Sequence, residues 1–156
     1  MRTSERCRAR LNDRKASAAA FVCCISLVFP MALAASAAIA EPLRADHPLV
    51  GSWKITASSG CTEIYVVRPD GTATVTSAEE VAESEVAISD QPSEKGFYKW
   101  VEKTVKDNGK KDCTGETTAV GHVATNYVLL HPSKNMFAMC EREDMSTCVG
   151  PFRRLQ

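Results

Sequence analysis

Cysteines are the residues of this sequence whose spacing says most about chemistry. Four of the seven, Cys61, Cys113, Cys140 and Cys148, follow residue 40 at intervals of 52, 27 and 8 residues. These intervals fit no structural zinc pattern, whereas an even number of cysteines in a short exported domain predicts two disulfides. Three pairings are possible. The polar loop between Cys140 and Cys148 suits a hairpin, which favours that bridge and leaves Cys61 with Cys113.

Other reactive side chains form no catalytic pattern. The histidines are His47, His122 and His131. We expect His47 and His131 to be solvated, because one lies in a polar lead-in and the other precedes Pro132 in a turn. No H-E-x-x-H, G-x-S-x-G or P-loop motif occurs, and bridged cysteines offer no thiol nucleophile. The sequence therefore argues against an enzyme and predicts neither a metal site nor a cofactor.

Aromatic side chains supply the candidate ligand-binding residues. Phe97, Tyr98 and Trp100 form the densest aromatic cluster. Alternation along a strand sends Phe97 and Tyr98 to opposite faces and puts Trp100 on the side of Tyr98. One side belongs to the core, and the other could line a ligand mouth, form a contact patch or also be core. The candidate ligand-binding residues are Tyr65, Tyr98, Trp100 and Tyr127.

Two charged groups have a simpler interpretation as solvated surface. The acidic group comprises Glu79, Glu80, Glu83 and Glu85. It could bind a cation or a basic partner, but a solvated polar connection is favoured. The basic group comprises Lys103, Lys106, Lys110 and Lys111. It surrounds a turn, so an exposed hairpin tip explains it as well as a dock for an anionic lipid or glycan.

The first 40 residues have the three parts of an export signal. Six basic residues against two acidic ones precede an uncharged run from Ala18 to Ala40, which ends in the A-x-A pattern Ala38-Ile39-Ala40. Pro30 and the alanine-rich second half favour cleavage over an uncleaved anchor, and Val22 fits poorly before a lipid-modified cysteine. We therefore expect a secretory signal peptide at residues 1–40 and a periplasmic or secreted protein whose membrane contact ends with cleavage.

The remaining 116 residues are about the size of one domain. They hold 13 Lys and Arg against 17 Asp and Glu, a net charge of −4 that the overall balance of zero conceals. Nucleic-acid binding requires a basic footprint. An acidic domain of this kind argues against a nucleic-acid partner.

From Leu49 onward, short β-type runs alternate with turn signals. Pro69-Asp70-Gly71 predicts a tight turn, because Pro presets φ and Gly accepts positive φ, and Asn108-Gly109 predicts another. Residues 41–48 hold Pro42 and Pro48 and are predicted to be an irregular lead-in. The predicted strands are 50–57, 61–68, 72–76, 85–89, 97–105, a weak one at 111–118, 123–130, 136–141 and 149–154.

One segment is open to two interpretations. Ser77-Ala78-Glu79-Glu80 matches a capping box, in which a Ser and a Glu three residues on satisfy free N–H groups at a helix start. One or two helical turns would then extend to Ser84. A polar connection between strands fits the same residues equally well.

About eight short strands without a strong amphipathic helix predict an antiparallel sheet. Such a sheet loses its exposed edges most simply by closing on itself. We therefore predict an all-β fold, a small up-and-down β-barrel over residues 49–156 stapled by two disulfides, with a small sandwich as the alternative.

Three short motifs resemble those of the lipocalins and wider calycin barrels. Gly51-Ser52-Trp53 resembles the G-x-W motif of their first strand, and Thr125-Asn126-Tyr127 resembles their T-D-Y motif, with Asn in place of Asp. Arg153 or Arg154 lies where the family often places an Arg over the motif Trp. The resemblance implies that Trp53 plugs the closed end of the barrel beneath a guanidinium. The chain is shorter than typical lipocalins and lacks their long C-terminal helix.

Two functional classes follow from these expectations, with an enzyme third. The resemblance implies an exported binding protein for a small apolar or amphipathic ligand. The alternative is an envelope protein that interacts with other proteins through exposed loops, such as a hydrolase inhibitor. An apolar cavity of at least about 300 Å³ would favour the first class. A filled barrel with an exposed aromatic patch would favour the second.

Overall fold

A computed structural model describes residues 41–156, and the predicted signal peptide at residues 1–40 lies outside them. Eight strands account for the regular structure of the described part, which contains no helix able to span a membrane. The strands are β1 (Gly51–Thr56), β2 (Thr62–Val67), β3 (Thr72–Ser77), β4 (Glu80–Ile88), β5 (Phe97–Asp107), β6 (Val123–Leu130), β7 (Met136–Cys140) and β8 (Cys148–Arg154).

Each strand pairs antiparallel with the next, and β1 pairs with β8 to close the barrel. The closing contacts join Trp53 to Arg154 and Lys54 to Arg153. Closure leaves no free sheet edge, which is the reason that the sequence analysis gives for expecting a barrel. The prediction of an all-β, eight-stranded, antiparallel up-and-down barrel is confirmed.

The connection after β3 is a tight hairpin, so the helical interpretation of the capping-box residues is wrong. Ala78 adopts a φ of 51° in this turn, and β4 begins at Glu80, five residues before the predicted strand. Burial along β4 then alternates with a period of two, from Glu80 through Ala82 and Ser84. That alternation belongs to a strand with one face toward the barrel interior.

The segment 111–118 is a loop, so the weak strand predicted there is wrong. Asp112 satisfies the backbone locally, since its Oδ1 accepts hydrogen bonds from the amides of Thr114 at 2.8 Å and Glu116 at 2.9 Å. A side chain that satisfies nearby amides in this way competes with ladder formation. The loop runs instead across one end of the barrel.

The other end of the barrel is closed by packed aromatic side chains. Trp53, Trp100, Phe137 and Phe152 are each at most 2% exposed. Phe137 stacks on Phe152 with ring centroids 4.6 Å apart, and Trp53 meets the Phe137 ring edge-on at 4.8 Å. Leu49 completes this core from the lead-in.

Arg154 fastens the lead-in to the closed end. Its guanidinium carbon lies 4.1 Å from the centroid of the Trp53 ring, while Nη1 donates to the Val50 carbonyl at 2.9 Å and Nη2 to that of Pro48 at 2.5 Å. Gly51 is needed beneath it, because φ is +127° there and an added Cβ would lie 2.6 Å from Nη1. The neighbouring Arg153 is exposed on the outer surface.

The lead-in is irregular but packed, and the expectation that His47 is solvated is wrong. His47 is 3% exposed, with Nε2 lying 3.2 Å from the Ser89 carbonyl oxygen and the ring edge-on to Tyr98. The Leu49 amide donates to its Nδ1 at 3.3 Å. These two partners explain how a polar side chain is accommodated in this position.

Two disulfides join Cys61 to Cys113 and Cys140 to Cys148, which confirms the favoured pairing. The first ties the β5–β6 loop to the β1–β2 turn, and the second closes the base of the β7–β8 hairpin. Both are compatible with an oxidising compartment outside the cytoplasm.

Candidate ligand-binding site

The open end of the barrel contains a cavity of about 230 Å³. Its volume equals that of roughly seven or eight water molecules in the liquid. The cavity lies opposite the aromatic core, at the end where the β1–β2, β3–β4 and β5–β6 connections meet. It is lined by Glu63, Tyr65, Val75, Ser77, Glu80, Ala82, Ser84, Glu102, Thr104, Asp112, Thr118, His122, Ala124, Asn126 and Met139.

The β5–β6 loop forms one rim of this cavity and is held there by four contacts. The Cys113 amide donates to Ser77 Oγ at 3.0 Å, and the Thr118 amide donates to Glu80 Oε1 at 3.1 Å. The Gly121 amide donates to the Thr104 carbonyl at 2.8 Å. Together with the Cys61–Cys113 bridge, these bonds hold the rim in one position before any ligand arrives.

Three glutamates line the cavity, Glu63, Glu80 and Glu102, and the Glu80 carboxyl also faces that of Asp107. Glu63 accepts from the Tyr65 hydroxyl and from the Ser77 hydroxyl, both at 3.1 Å. Glu102 accepts from the Trp100 indole N–H at 3.2 Å. Among residues 41–156, the lining contains no Lys or Arg, and the recorded ion pairs involve other residues. No ion pair of the described residues neutralises the carboxylates of the site.

Ser84 is the one cavity-lining side chain with a buried polar atom left without a partner. The residue is 1% exposed, and its Oγ makes no hydrogen bond in the described part of the chain. It lies on the inward-facing positions of β4, between Ala82 and Val86. A buried hydroxyl without a partner is costly, and a bound ligand could supply the missing hydrogen bond.

Burial is the main cause of a raised pKa at two residues of the cavity, Tyr65 and Glu80. Burial, followed by the charges of Glu63 and Glu102, raises the pKa of Tyr65 well above its ordinary value of 10.0. Burial also raises the pKa of Glu80 from its ordinary value of 4.5, and the carboxyl of Asp107 adds to the shift. Glu80 is 4% exposed, so its charged form lacks solvent to stabilise it.

The two serine hydroxyls of the cavity differ in their surroundings, since Ser77 donates to the Glu63 carboxylate at 3.1 Å. Ser84 has no base within hydrogen-bonding distance, which nucleophilic catalysis by a hydroxyl requires. In the part of the chain that the structure describes, no group of three or more His, Cys, Asp or Glu side chains is placed to hold a metal ion. The site offers carboxylate, hydroxyl and amide acceptors beside a small apolar surface.

The four predicted ligand-binding residues are not brought together. Tyr65 lines the cavity, and Trp100 is fully buried in the core, where it contacts the site only through Glu102. Tyr98 packs on the core beside His47 at the closed end. Tyr127 alternates with the inward-facing Asn126, which directs it to the outer face of β6.

The second sequence motif divides between the two faces of β6. Asn126 lines the cavity, whereas Thr125 is exposed on the outside.

The acidic group that the sequence analysis interprets as solvated is divided in the structure. Glu79 and Glu83 are exposed, but Glu80 is buried in the site.

Glu63, Glu102 and Ser84 belong to the site and are missed by the sequence reasoning. Each occupies an inward position of a strand whose pattern alternates. Polar residues at alternate positions of a strand are normally assigned to the solvent face. The signal that could have found them is that Glu63 shares its strand face with Tyr65, and Glu102 with Trp100.

A larger, apolar groove lies outside the barrel wall. It has a volume of about 670 Å³ and runs along the outer face of β6, β7 and β8. Met145 and Val149, which are 60% and 57% exposed, form part of its surface. The loop that carries Met145 is closed by the Cys140–Cys148 disulfide.

The fold and the cavity together define a closed eight-stranded antiparallel barrel with an acidic, partly polar pocket at its open end. The chain matches no family model, no curated protein and no solved structure.

Proposed function

We propose that this protein is an exported binding protein, without enzymatic activity, that takes a small amphipathic ligand into the open end of its barrel. One observation carries the proposal: the barrel is filled at one end by aromatic side chains and keeps a cavity of about 230 Å³ at the other. Small-ligand sites in barrels lie at such mouths and combine apolar walls with a few placed polar groups.

The cavity suits an amphipathic ligand better than a wholly apolar one. At about 230 Å³ it does not reach the apolar cavity of at least about 300 Å³ that the sequence analysis set as the mark of an apolar-ligand site, and carboxylates line it beside Val75, Ala82 and Met139. A purely apolar molecule would desolvate these carboxylates without replacing their hydrogen bonds, which is unfavourable. We therefore expect a compact ligand with an apolar part and a polar head.

Export to the periplasm or the medium is part of the same proposal. It is supported by the leader-like residues 1–40, which lie outside the described part of the chain, and by two disulfides. Thiols of cytosolic proteins are kept reduced, so bridges of this kind persist mainly in exported proteins.

Native mass spectrometry of the protein taken from the exporting cell tests the proposal. We expect a small molecule to co-purify with the wild type. It should be lost in Ala124→Phe, because Ala124 lies on the cavity wall. The matched control is Val123→Phe, since Val123 is the preceding residue of β6 and is 56% exposed. Equal retention of the molecule by both variants would contradict binding in the barrel.

A second candidate function, contact with another envelope protein such as a hydrolase, is favoured by the outer groove. Two exposed apolar side chains, Met145 and Val149, lie together on this groove. Val149→Glu should abolish such a contact while leaving the barrel cavity intact. Co-purification of one partner protein with the wild type, lost in this variant, would support the second candidate.

A further inference from the structure

We infer that the barrel mouth is selective for a small organic cation, an alkylammonium whose charged head lies among Glu63, Glu80 and Glu102 near Ser84. The inference rests on the proposed function and specifies the chemistry of its ligand.

The first step of the argument is charge balance. Glu63, Glu80 and Glu102 line one small cavity, and their partners are a phenol, a hydroxyl, a backbone amide, an indole N–H and, for Glu80, the carboxyl of Asp107. Removing a carboxylate from water is costly unless an opposite charge or several donors replace the water. The described residues lining the cavity include no Lys or Arg and one imidazole, that of His122, so a cation would add positive charge among the carboxylates.

The second step is independent of the acidic residues. The Ser84 hydroxyl is buried in the cavity wall without a hydrogen-bond partner. A hydroxyl of this kind can accept one hydrogen bond from a ligand. An ammonium group has three N–H donors and no acceptor, so it can donate to Ser84 and also to Glu102, which lies two residues from Thr104, the strand partner of Ser84.

The third step concerns the class of cation. The carboxylates are distributed around the cavity on β2, β4 and β5, and no group of three ligating side chains in residues 41–156 is placed to hold a metal. The remaining wall includes Val75, Ala82 and the Met139 thioether. An organic cation with a short apolar tail fits both parts of this lining, whereas a metal ion would use only the acidic part.

Titration calorimetry with three probes of similar size tests the inference on the exported protein. The probes are 2-phenylethylamine, neutral 2-phenylethanol and anionic 3-phenylpropanoate. We expect the amine to bind at least about tenfold more tightly than the alcohol, since one hydrogen bond to a charged group accounts for that factor. The carboxylate should bind least, because it would lie among like charges.

Substitutions that keep the shape of the site locate the effect. Glu63→Gln and Glu102→Gln should each weaken amine binding by about tenfold while changing alcohol binding little. Glu85→Gln, at a position of β4 that alternates with the inward-facing residues, is the matched control and should leave both unchanged. Ser84→Ala should weaken amine binding several-fold without lowering the melting temperature, a combination that a purely structural role for Ser84 would not produce.

The outcomes separate the inference from the proposed function. Equal binding of amine and alcohol, unaffected by the Gln variants, would overturn the cation inference and leave ligand binding in the barrel standing. Competition by calcium chloride alone against the amine would overturn the assignment of an organic cation. If none of the three probes binds, the inference fails, and the native mass spectrum of the Ala124→Phe variant decides separately whether the barrel binds a ligand.

Discussion

At the scale of single residues, Glu80 is the buried carboxyl of the candidate site, with 4% of its surface exposed. Its carboxyl faces Asp107 at the end of β5 and accepts the Thr118 amide from the rim. The other titratable groups around the same cavity are Glu63, Tyr65, Glu102, Asp112 and His122. Burial, which is the largest cause, and the Asp107 carboxyl raise the pKa of Glu80, while the hydrogen bond from Thr118 lowers it and offsets part of the shift.

Replacing Glu80 by Gln should stabilise the protein at neutral pH. The pKa of Glu80 is raised in the folded state, so the stability associated with its protonation is present below about pH 4.5 and is lost as the pH rises through the folded pKa. Gln cannot ionise, and its carbonyl oxygen can still accept the Thr118 amide. Thermal unfolding of both proteins between pH 4 and pH 8 checks this expectation.

The difference between the two melting curves should widen as the pH rises above 4.5. Exposed Asp70 and Asp90, whose pKa values are lowered by hydrogen bonds, give the opposite trend at lower pH, but they are common to both proteins. A Glu80→Gln variant that melts lower than the wild type at pH 7 would contradict the description of Glu80 as a destabilising buried acid.

Trp53 is the residue on which the closed end depends. It is fully buried, its indole N–H donates to the Leu49 carbonyl at 2.9 Å, and its ring lies under the Arg154 guanidinium. Trp53→Ala should lower the free energy of unfolding by about 3–5 kcal/mol, because it leaves a cavity in the core. Urea unfolding followed by circular dichroism measures the change, with exposed Val123→Ala expected within about 0.5 kcal/mol of the wild type. An unchanged midpoint for Trp53→Ala would refute the role of Trp53 as a plug.

At the scale of elements, the strands could be predicted well because alternation and turn residues act locally. The strand Val123–Leu130 and the turn at Pro69-Asp70-Gly71 are found where the sequence predicts them. The capping-box residues misled because the local pattern of Ser and Glu suits a helix start, whereas pairing with β3 and β5 decides for a strand. Tertiary pairing overrides local propensity in such short segments.

The candidate site could not be predicted in the same way, because it depends on which face of each strand turns inward. Glu63 and Glu102 have the positions of ordinary solvent-facing residues until the barrel closes. The His47 side chain is likewise buried by long-range contacts with Ser89 and Tyr98 rather than by its own segment. Which side chains of a strand face inward is set by the strand register, and the register follows from the assembled sheet.

The two disulfides close loops of very different length, and this difference predicts how much each bridge contributes to the free energy of unfolding. Cys61 and Cys113 are 52 residues apart, whereas Cys140 and Cys148 are 8 apart. Removing the long-range bridge as Cys61→Ala/Cys113→Ala should cost about 1.5–2 kcal/mol more than Cys140→Ala/Cys148→Ala, from loop-closure entropy alone. Parallel denaturant titrations of the two double variants give the difference. Equal or reversed costs would show that chain entropy does not govern these bridges.

At the scale of the whole molecule, the protein separates two tasks along the barrel. Aromatic packing and the Arg154 clamp stabilise one end, while the other retains one buried carboxyl, Glu80, beside the half-buried Glu63 and Glu102. Proteins keep such unfavourable groups mainly where a ligand compensates for them. The net charge of −4 over residues 41–156 would also attract a cationic ligand in solution.

The position of the bound ligand tests this account most directly. In a two-dimensional amide NMR titration with 2-phenylethylamine, we predict that the largest shifts occur at Ser84, Thr104 and Asn126, which line the mouth. The amides of Met145 and Val149 at the outer groove should not move. Shifts confined to the outer groove, or no shifts at millimolar amine, would contradict a cation-binding barrel.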